Sequence, residues 1–148
     1  ARLTFLPLSF FCLPFLFLSP FFCRPCFCLS ENSNFTQRNW KAIKPFKTLN
    51  KGWGLQLMQP IEKGAFICEY VGEVISHDEC DRRMEERKRR GVTATYMLSL
   101  NSEAIIDASE RGNLGRFLNH SCSPTCQIQK WTVGGEDRIG IFSSRDIK

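Results

Sequence analysis

Eight residues near the C-terminal end, Gly115-Arg116-Phe117-Leu118-Asn119-His120-Ser121-Cys122, carry the densest chemistry in the chain. A guanidinium, an aromatic ring, a carboxamide, an imidazole and a thiol share one short span. Histidine and cysteine together suggest a base and its nucleophile. On an extended chain, however, neighbouring side chains point to opposite faces, so the motif is expected to form such a pair poorly, and a thiol protease is discounted. No P-loop, no G-x-G-x-x-G after a strand, no G-x-S-x-G and no H-E-x-x-H occurs. Their absence argues against the common nucleotide-binding, hydrolase and zinc-protease classes.

The elements that must position this motif read as mainly β. GWGLQLM, AFICEYVGEVI, TYMLSL, AIIDA, CQIQKWTV and RIGIFSS are short runs rich in β-branched and aromatic residues, which predict strands. Glu62-Lys63-Gly64, Asn101-Ser102 and Gly134-Gly135-Glu136-Asp137 read as turns, the last as a hairpin loop. One segment breaks the rhythm. Ser76-x-x-Glu79 is a capping box and Gly91 a stop, so residues 77–90 are expected to be helical. Asp78/Arg82, Glu79/Arg83, Glu85/Arg89 and Glu86/Arg90 set acid before base at i, i+4, each pair worth about 0.3 kcal/mol. With 6 bases against 5 acids the helix is nearly neutral, and its arginines read as a solvated face rather than a nucleic-acid patch. Cys80 and Met84 supply a narrow apolar stripe that could lie on a sheet edge.

A length of 148 residues suits one compact domain, and a net charge of +5 mildly favours acidic partners such as nucleic acid or a chromatin surface. Cys68, Cys80, Cys122 and Cys126 are as compatible with reduced thiols as with bridges. The other four cysteines, Cys12, Cys23, Cys26 and Cys28, lie in residues 1–30, where Phe, Leu, Pro, Cys and Ser account for 26 of 30 positions. An apolar tract of this length would permit a membrane span over residues 3–22, but Pro7, Pro14, Pro20 and Pro25 would each remove a helix hydrogen bond. Phe, Leu, Pro and Ser share pyrimidine-rich codons, so the tract is expected to be a mistranslated pyrimidine run or disordered. A genuine anchor or signal, and a Cys23-x2-Cys26-x-Cys28 metal cluster, are the alternatives. Residues 31–51 then carry Arg38, Lys41, Lys44, Lys47 and Lys51 against the single acid Glu31. Such a run either contacts DNA phosphates or an acidic protein surface, or is a solvated connection, the commoner outcome.

In order and spacing, KGWGLQLMQPIEKGAFICEYVGEVIS, YMLSL, IIDA, GNLGRFLNHSCSPTCQIQKWTV and RIGIF resemble the SET domain of histone-lysine methyltransferases. CQIQKWTV with RIGIF most resembles the subgroup that methylates lysine 36 of histone H3. ENSNFTQRNWKAIKPFKTLNKGWG resembles the end of that subgroup's cysteine-rich pre-SET (AWS) module, with Ser30 where the family has a zinc-binding cysteine. The resemblance covers residues 31–148, 118 of 148 positions. It implies a SET-domain (β-clip) fold, mainly β, with several small curved sheets and one lateral helix. Residues 31–50 would be a remnant of the AWS module and 51–148 an incomplete SET domain.

The implied reaction moves a methyl group from S-adenosyl-L-methionine to a lysine amine by in-line displacement, on the histone H3 tail and nucleosome, in the nucleus on chromosomes. The amine must be neutral, although a free lysine titrates near about 10.4. A narrow apolar channel disfavours the ammonium, and holding the reactants in line removes much of the entropic barrier. By the same resemblance Lys51, Gly52 and Trp53 line the cofactor pocket, glycine letting backbone approach a ligand. Tyr96 contacts the cofactor and shapes the methyl-transfer pore, which makes it the catalytic candidate. Arg116, Phe117, Asn119 and His120 complete the pocket, with Asn119 and His120 holding the amino-acid and adenine parts. Cys122 resembles one ligand of a post-SET zinc site whose other cysteines lie farther downstream.

Read without the resemblance, Trp53, Tyr96, Phe117 and Trp131 are ordinary core aromatics, His120 a turn histidine, and Cys122 and Cys126 buried thiols. With it, Trp131 and Cys126 stay in the core. Glu69, Tyr70 and Glu73 either line the histone-peptide side or alternate toward solvent. The family continues beyond Lys148 with a G-E-E-L-T-Y-D-Y-like segment that forms a rare knotted topology and carries a tyrosine assigned to methyl transfer. Without it, the 148-residue chain is expected to be poorly active. Thr125 and Gln127 depart from the family's usual Asn and Glu. The competing expectation is a noncatalytic chromatin-binding module, with nonspecific DNA contact through Arg38, Lys41, Lys44 and Lys47 and no membrane contact unless residues 3–22 are an anchor.

Overall fold

The computed structural model describes residues 4–5 and 32–148. In chain order these form β1 (Thr4–Phe5), a helical turn at 32–36, β2 (Ile43–Lys47), β3 (Trp53–Leu57), β4 (Phe66–Glu69), β5 (Gly72–Ser76) and α1 (His77–Arg89). β6 (Met97–Ser99), β7 (Ala104–Gly112), a 3-10 turn (Leu114–Phe117), β8 (Asn119–His120), β9 (Cys126–Val133) and β10 (Glu136–Ser143) follow. The strands make four small sheets: β1–β8, β2–β3, β4–β10–β9 and β5–β7–β6. All pairings are antiparallel except β1–β8, in which Thr4 lies opposite Asn119 and Phe5 opposite His120. The expected arrangement, mainly β with several small sheets and one lateral helix, is what folds.

The main core joins the sheets through Leu55, Ile67, Cys68, Ile106, Ala108, Cys126 and Ile141, all at or below 5% exposure. Burying each large aliphatic side chain contributes about 1.5–3 kcal/mol. A second, aromatic cluster sits at the outer end of β4–β10–β9, where Phe35 packs on Phe66 with ring centroids 4.8 Å apart and Trp131 stacks on Phe142 at 5.9 Å.

Several boundaries differ from the sequence reading. AFICEYVGEVI is two strands, not one. β4 pairs with β10 and β5 with β7, and the chain turns at Tyr70–Val71 between them. Gly72 permits this corner, because a Cβ there would stand 2.6 Å from the Asp107 carbonyl oxygen. The basic segment is no solvated connection either. Phe35 is wholly buried, and β2 pairs along its length with β3. Pro45 is tolerated because β2 is an edge strand with only one neighbour. The Gly134–Gly135 turn, with both residues at positive φ (62° and 87°), is a two-residue hairpin loop, so Glu136 and Asp137 already belong to β10.

The Ser76 side chain caps α1 by accepting from the Glu79 backbone N–H, and the helix stops one residue earlier than expected. Gly91 (φ 70°) closes it in a Schellman motif: Val92 N–H donates to the Arg87 carbonyl and Gly91 N–H to that of Lys88. Of the four expected ion pairs, Glu79–Arg83 forms at 2.8 Å and Glu85–Arg89 at 3.9 Å. Arg82 instead pairs with Glu79 and Glu86. Nor are all the arginines a solvated face. Arg83 and Arg87 turn inward onto Asp107 of β7, a fully buried carboxylate, at 2.9 and 3.1 Å. Cys80 is buried as expected, whereas Met84 is 43% exposed.

The membrane-span reading of residues 3–22 and the Cys23, Cys26 and Cys28 cluster lie outside the described residues apart from Thr4–Phe5. Among the described residues, no helix is long and apolar enough to cross a membrane.

Candidate functional site

The turn between β2 and β3 is tied tightly enough to fix what it carries. Thr48 donates both its N–H and its hydroxyl to the Gly52 carbonyl, at 2.8 and 2.9 Å, and its Oγ1 accepts from the Lys51 N–H. Gly52 sits at φ 66°, where a side chain would be strained, and open space surrounds it. Sixty-odd residues later, Asn113 organises the second wall. Its Oδ1 accepts from the Gly115 N–H at the start of the 3-10 turn, while its Nδ2 donates to the Glu69 carbonyl at 2.6 Å. Gly115 is buried, and a Cβ there would crowd Asn113 Oδ1 at 3.0 Å and both Glu69 O and Ile141 Cδ1 at 3.3 Å.

Two long-range hydrogen bonds stitch the walls together. Lys51 Nζ donates to the His120 carbonyl at 2.8 Å, and Asn119 Nδ2 donates to the Trp53 carbonyl at 2.7 Å. The Phe117 ring lies between Trp53 (6.2 Å) and Tyr96 (6.0 Å), meeting the latter edge to face at 88°. Arg116 stacks its guanidinium 4.5 Å from the Tyr96 centroid and 5.0 Å from that of Phe117. Its Nη1 donates to the Ala108 and Ser109 carbonyls at 2.8 and 3.0 Å, while its Nε is buried with no partner among the described residues. Thus Lys51, Gly52, Trp53, Tyr96, Arg116, Phe117, Asn119 and His120 converge on one surface. Trp53 keeps half its area open to solvent (50%), an unusual posture for a tryptophan with so many neighbours.

The convergence of the KGWG turn with the RFLNH segment is matched at the level of sequence. The SET domain family profile matches residues 52–148. This chain belongs to the SET-domain family. Histone-lysine N-methyltransferase, H3 lysine-36 specific, of Homo sapiens is 42% identical to this SET chain over 130 residues, covering 85% of it and 5% of the human protein. Histone-lysine N-methyltransferase ASHH3 of Arabidopsis thaliana is 46% identical over 118 residues, 80% of this chain and 32% of that protein. The SET chain therefore spans a small part of these relatives.

Tyr70 of this SET domain, whose role the sequence left undecided, lies behind Tyr96. It is buried, and its hydroxyl donates to the Tyr96 carbonyl at 2.9 Å, which also accepts from the Ala108 N–H. Burial, and then the nearby Asp107 charge, push its phenol well above the ordinary range, so it stays a protonated donor. The solvent-facing alternation considered for its neighbours does not occur. Glu69 makes a bidentate pair with Arg138 at 2.6 Å for both bonds, and Glu73 pairs with Arg83 at 2.9 Å. A strand that changes sheets at Tyr70 has no single solvent face.

One further expectation is corrected. His120 and Cys122 are two residues apart rather than adjacent, and the bend after β8 brings Cys122 Sγ to 3.9 Å from His120 Nε2. Cys122 is an exposed thiol, whereas Cys126 is fully buried as expected. Among the described residues, no group of three or more His, Cys, Asp or Glu could hold a metal ion.

Proposed function

We propose that this chain is the SET portion, residues 51–148, of a histone-lysine N-methyltransferase, preceded at 31–50 by residues of its AWS module. Histone H3 in nucleosomes is the substrate, lysine 36 the favoured target, and chromosomes in the nucleus the location. The joining of Lys51–Trp53 to Asn119–His120, with Phe117 bridging Trp53 and Tyr96, carries this reading.

The residues present suit S-adenosyl-L-methionine. A half-exposed Trp53 beside Phe117 offers π faces to a cation. Gly52 leaves open backbone for close approach, and Asn119 commits one amide N–H to Trp53 while its carbonyl oxygen makes no bond among the described residues. Lys51, Gly52 and Trp53 would hold one side of the cofactor, and Arg116, Phe117, Asn119 and His120 the other. When bound, it supplies a methyl group on a sulfonium, which a neutral amine takes up in one displacement.

Tyr96 and Phe117 present a dry aromatic wall, which disfavours a lysine ammonium and so favours the neutral nucleophile. Tyr70 and the Ala108 N–H hold Tyr96 from behind by its carbonyl. Precise support of this kind converts binding into reactive alignment. Zinc is proposed at Cys122 alone of the described residues. One thiolate is an incomplete ligand set, and no step is assigned to the metal.

Calorimetric titration with S-adenosyl-L-methionine tests the reading, with Trp53→Ala expected to weaken binding at least about tenfold. Methyl transfer to nucleosomes, expected to be weak from this 148-residue chain, should be lost when histone H3 carries arginine at position 36. A chain without measurable affinity for the cofactor would end the enzymatic reading. The noncatalytic chromatin module is favoured by one observation: Lys44 and Lys47 point outward from β2 and make no ion pair among the described residues. Arg38 and Lys41 flank them as a surface for DNA phosphates. Salt-dependent DNA binding lost on Lys44→Glu with Lys47→Glu, in a chain that ignores the cofactor, would select that module instead.

A further inference from the structure

Phe117 and Arg116 also help line an open cavity of about 600 Å³, a volume typical of small-molecule sites. Trp40, Ile43 and Leu114 belong to its apolar lining, with Cys68 among them. Burial, then the nearby Cys126, pushes the Cys68 thiol up to about 12, so that surface stays uncharged. Trp40 and Leu114 are 36% and 37% exposed, which leaves the apolar lining open to a ligand. Its charged members have one sign only, Lys41 and Arg116, with no acid in the lining. Lys41 makes no ion pair among the described residues. An apolar lining that carries cations and no acid suits an aromatic molecule with a negative charge, the apolar residues taking the ring and Lys41 or Arg116 the anion.

We propose that this cavity is a second binding site, for an aromatic anion such as an aryl carboxylate or sulfonate, coupled to the Tyr96 cluster through the shared Phe117 and Arg116. Binding in the cavity stands independently of the methyltransferase reading. Only the coupling rests on it.

The probe is 8-anilinonaphthalene-1-sulfonate, titrated by fluorescence into the full 148-residue chain. One saturable site is expected. Leu114→Glu, which sets a carboxylate in the lining, should weaken the probe at least about tenfold, and Lys41→Glu by about threefold or more. Val74→Ser, on a different sheet, should leave it unchanged, and circular dichroism verifies folding of each variant. Neutral N-phenyl-1-naphthylamine should bind several-fold more weakly than the sulfonate. Undiminished binding in Lys41→Glu, which is a surface change and keeps the fold, would overturn the site. So would uptake without saturation or equal affinity for the neutral probe. Calorimetry with S-adenosyl-L-methionine, with and without saturating probe, then reads the coupling. A shifted affinity supports it, and an unchanged one overturns it. Absence of any cofactor affinity removes the methyltransferase reading and the coupling together, while the probe titration still decides the cavity.

Discussion

Asp107 and Ala108 are neighbours on β7, yet they serve two regions built on opposite principles. Asp107 faces α1, where it is fully buried between Arg83 and Arg87 and accepts the Ser109 N–H at 3.0 Å. Ala108 faces the other way, its N–H on the Tyr96 carbonyl and its carbonyl on Arg116. On the first side charges neutralise one another and the junction is closed. On the second, backbone groups do the tethering, and the rings of Trp53, Tyr96 and Phe117 remain as surfaces for something else. Stability and the proposed recognition thus fall on opposite sides of one strand. Losses on the Asp107 side should appear as unfolding, and losses on the Tyr96 side as weakened binding.

The sharpest way to break this contrast is Asp107→Ala. Two inward arginines would lose their buried counter-charge, and urea unfolding should report a loss of about 3–5 kcal/mol. A loss below about 1 kcal/mol would show that the junction is dispensable and the contrast false. Acid should act on the same group more gently. Burial opposes its charge, but Ser109 and Arg83 outweigh that and hold the carboxyl at about 2, below its ordinary 3.8. Because the folded value is the lower one, its stabilisation is complete above about pH 4 and disappears as the pH falls toward 2. Unfolding free energies between pH 6 and pH 2 should slope downward, and Asp107→Asn should flatten that slope.

Across the strand, Asn119→Ala removes one neutral hydrogen bond, so stability should fall by only about 1 kcal/mol while cofactor affinity falls about tenfold. Calorimetry beside urea unfolding separates the two. If stability fell as far as in Asp107→Ala, the cluster would be structural rather than a binding surface. The smallest effect belongs to Arg82→Ala. Its partners Glu79 and Glu86 lie on the outer face of α1, so the melting temperature should not measurably change.

Local rules accounted for much of the scaffold. The capping box at Ser76, the glycine stop at Gly91 and the Gly134–Gly135 hairpin act through their own backbone and needed no distant partner. Periodicity failed where an element changes neighbours. In AFICEYVGEVI nothing local says that the strand leaves one sheet for another at Tyr70, so Glu69, Tyr70 and Glu73 could not be assigned a face. β2 was missed because its lysines and Pro45 resemble a linker until β3 supplies the hydrogen-bonding edge. The inward turn of Arg83 and Arg87 was equally illegible, because the acid that draws them stands about 20 positions away.

For the candidate site, the sequence by itself determined the cast. KGW, Tyr96 and RFLNH could be picked out by type and by resemblance, since backbone freedom, ring faces and hydrogen-bonding capacity are properties of the residues themselves. Tertiary structure alone decided that Lys51 reaches His120, that Asn119 reaches Trp53, and that Tyr70 holds Tyr96 from behind. These contacts join residues between 26 and 69 positions apart. Only burial of a common core brings such residues within hydrogen-bonding distance, and no local pattern encodes that.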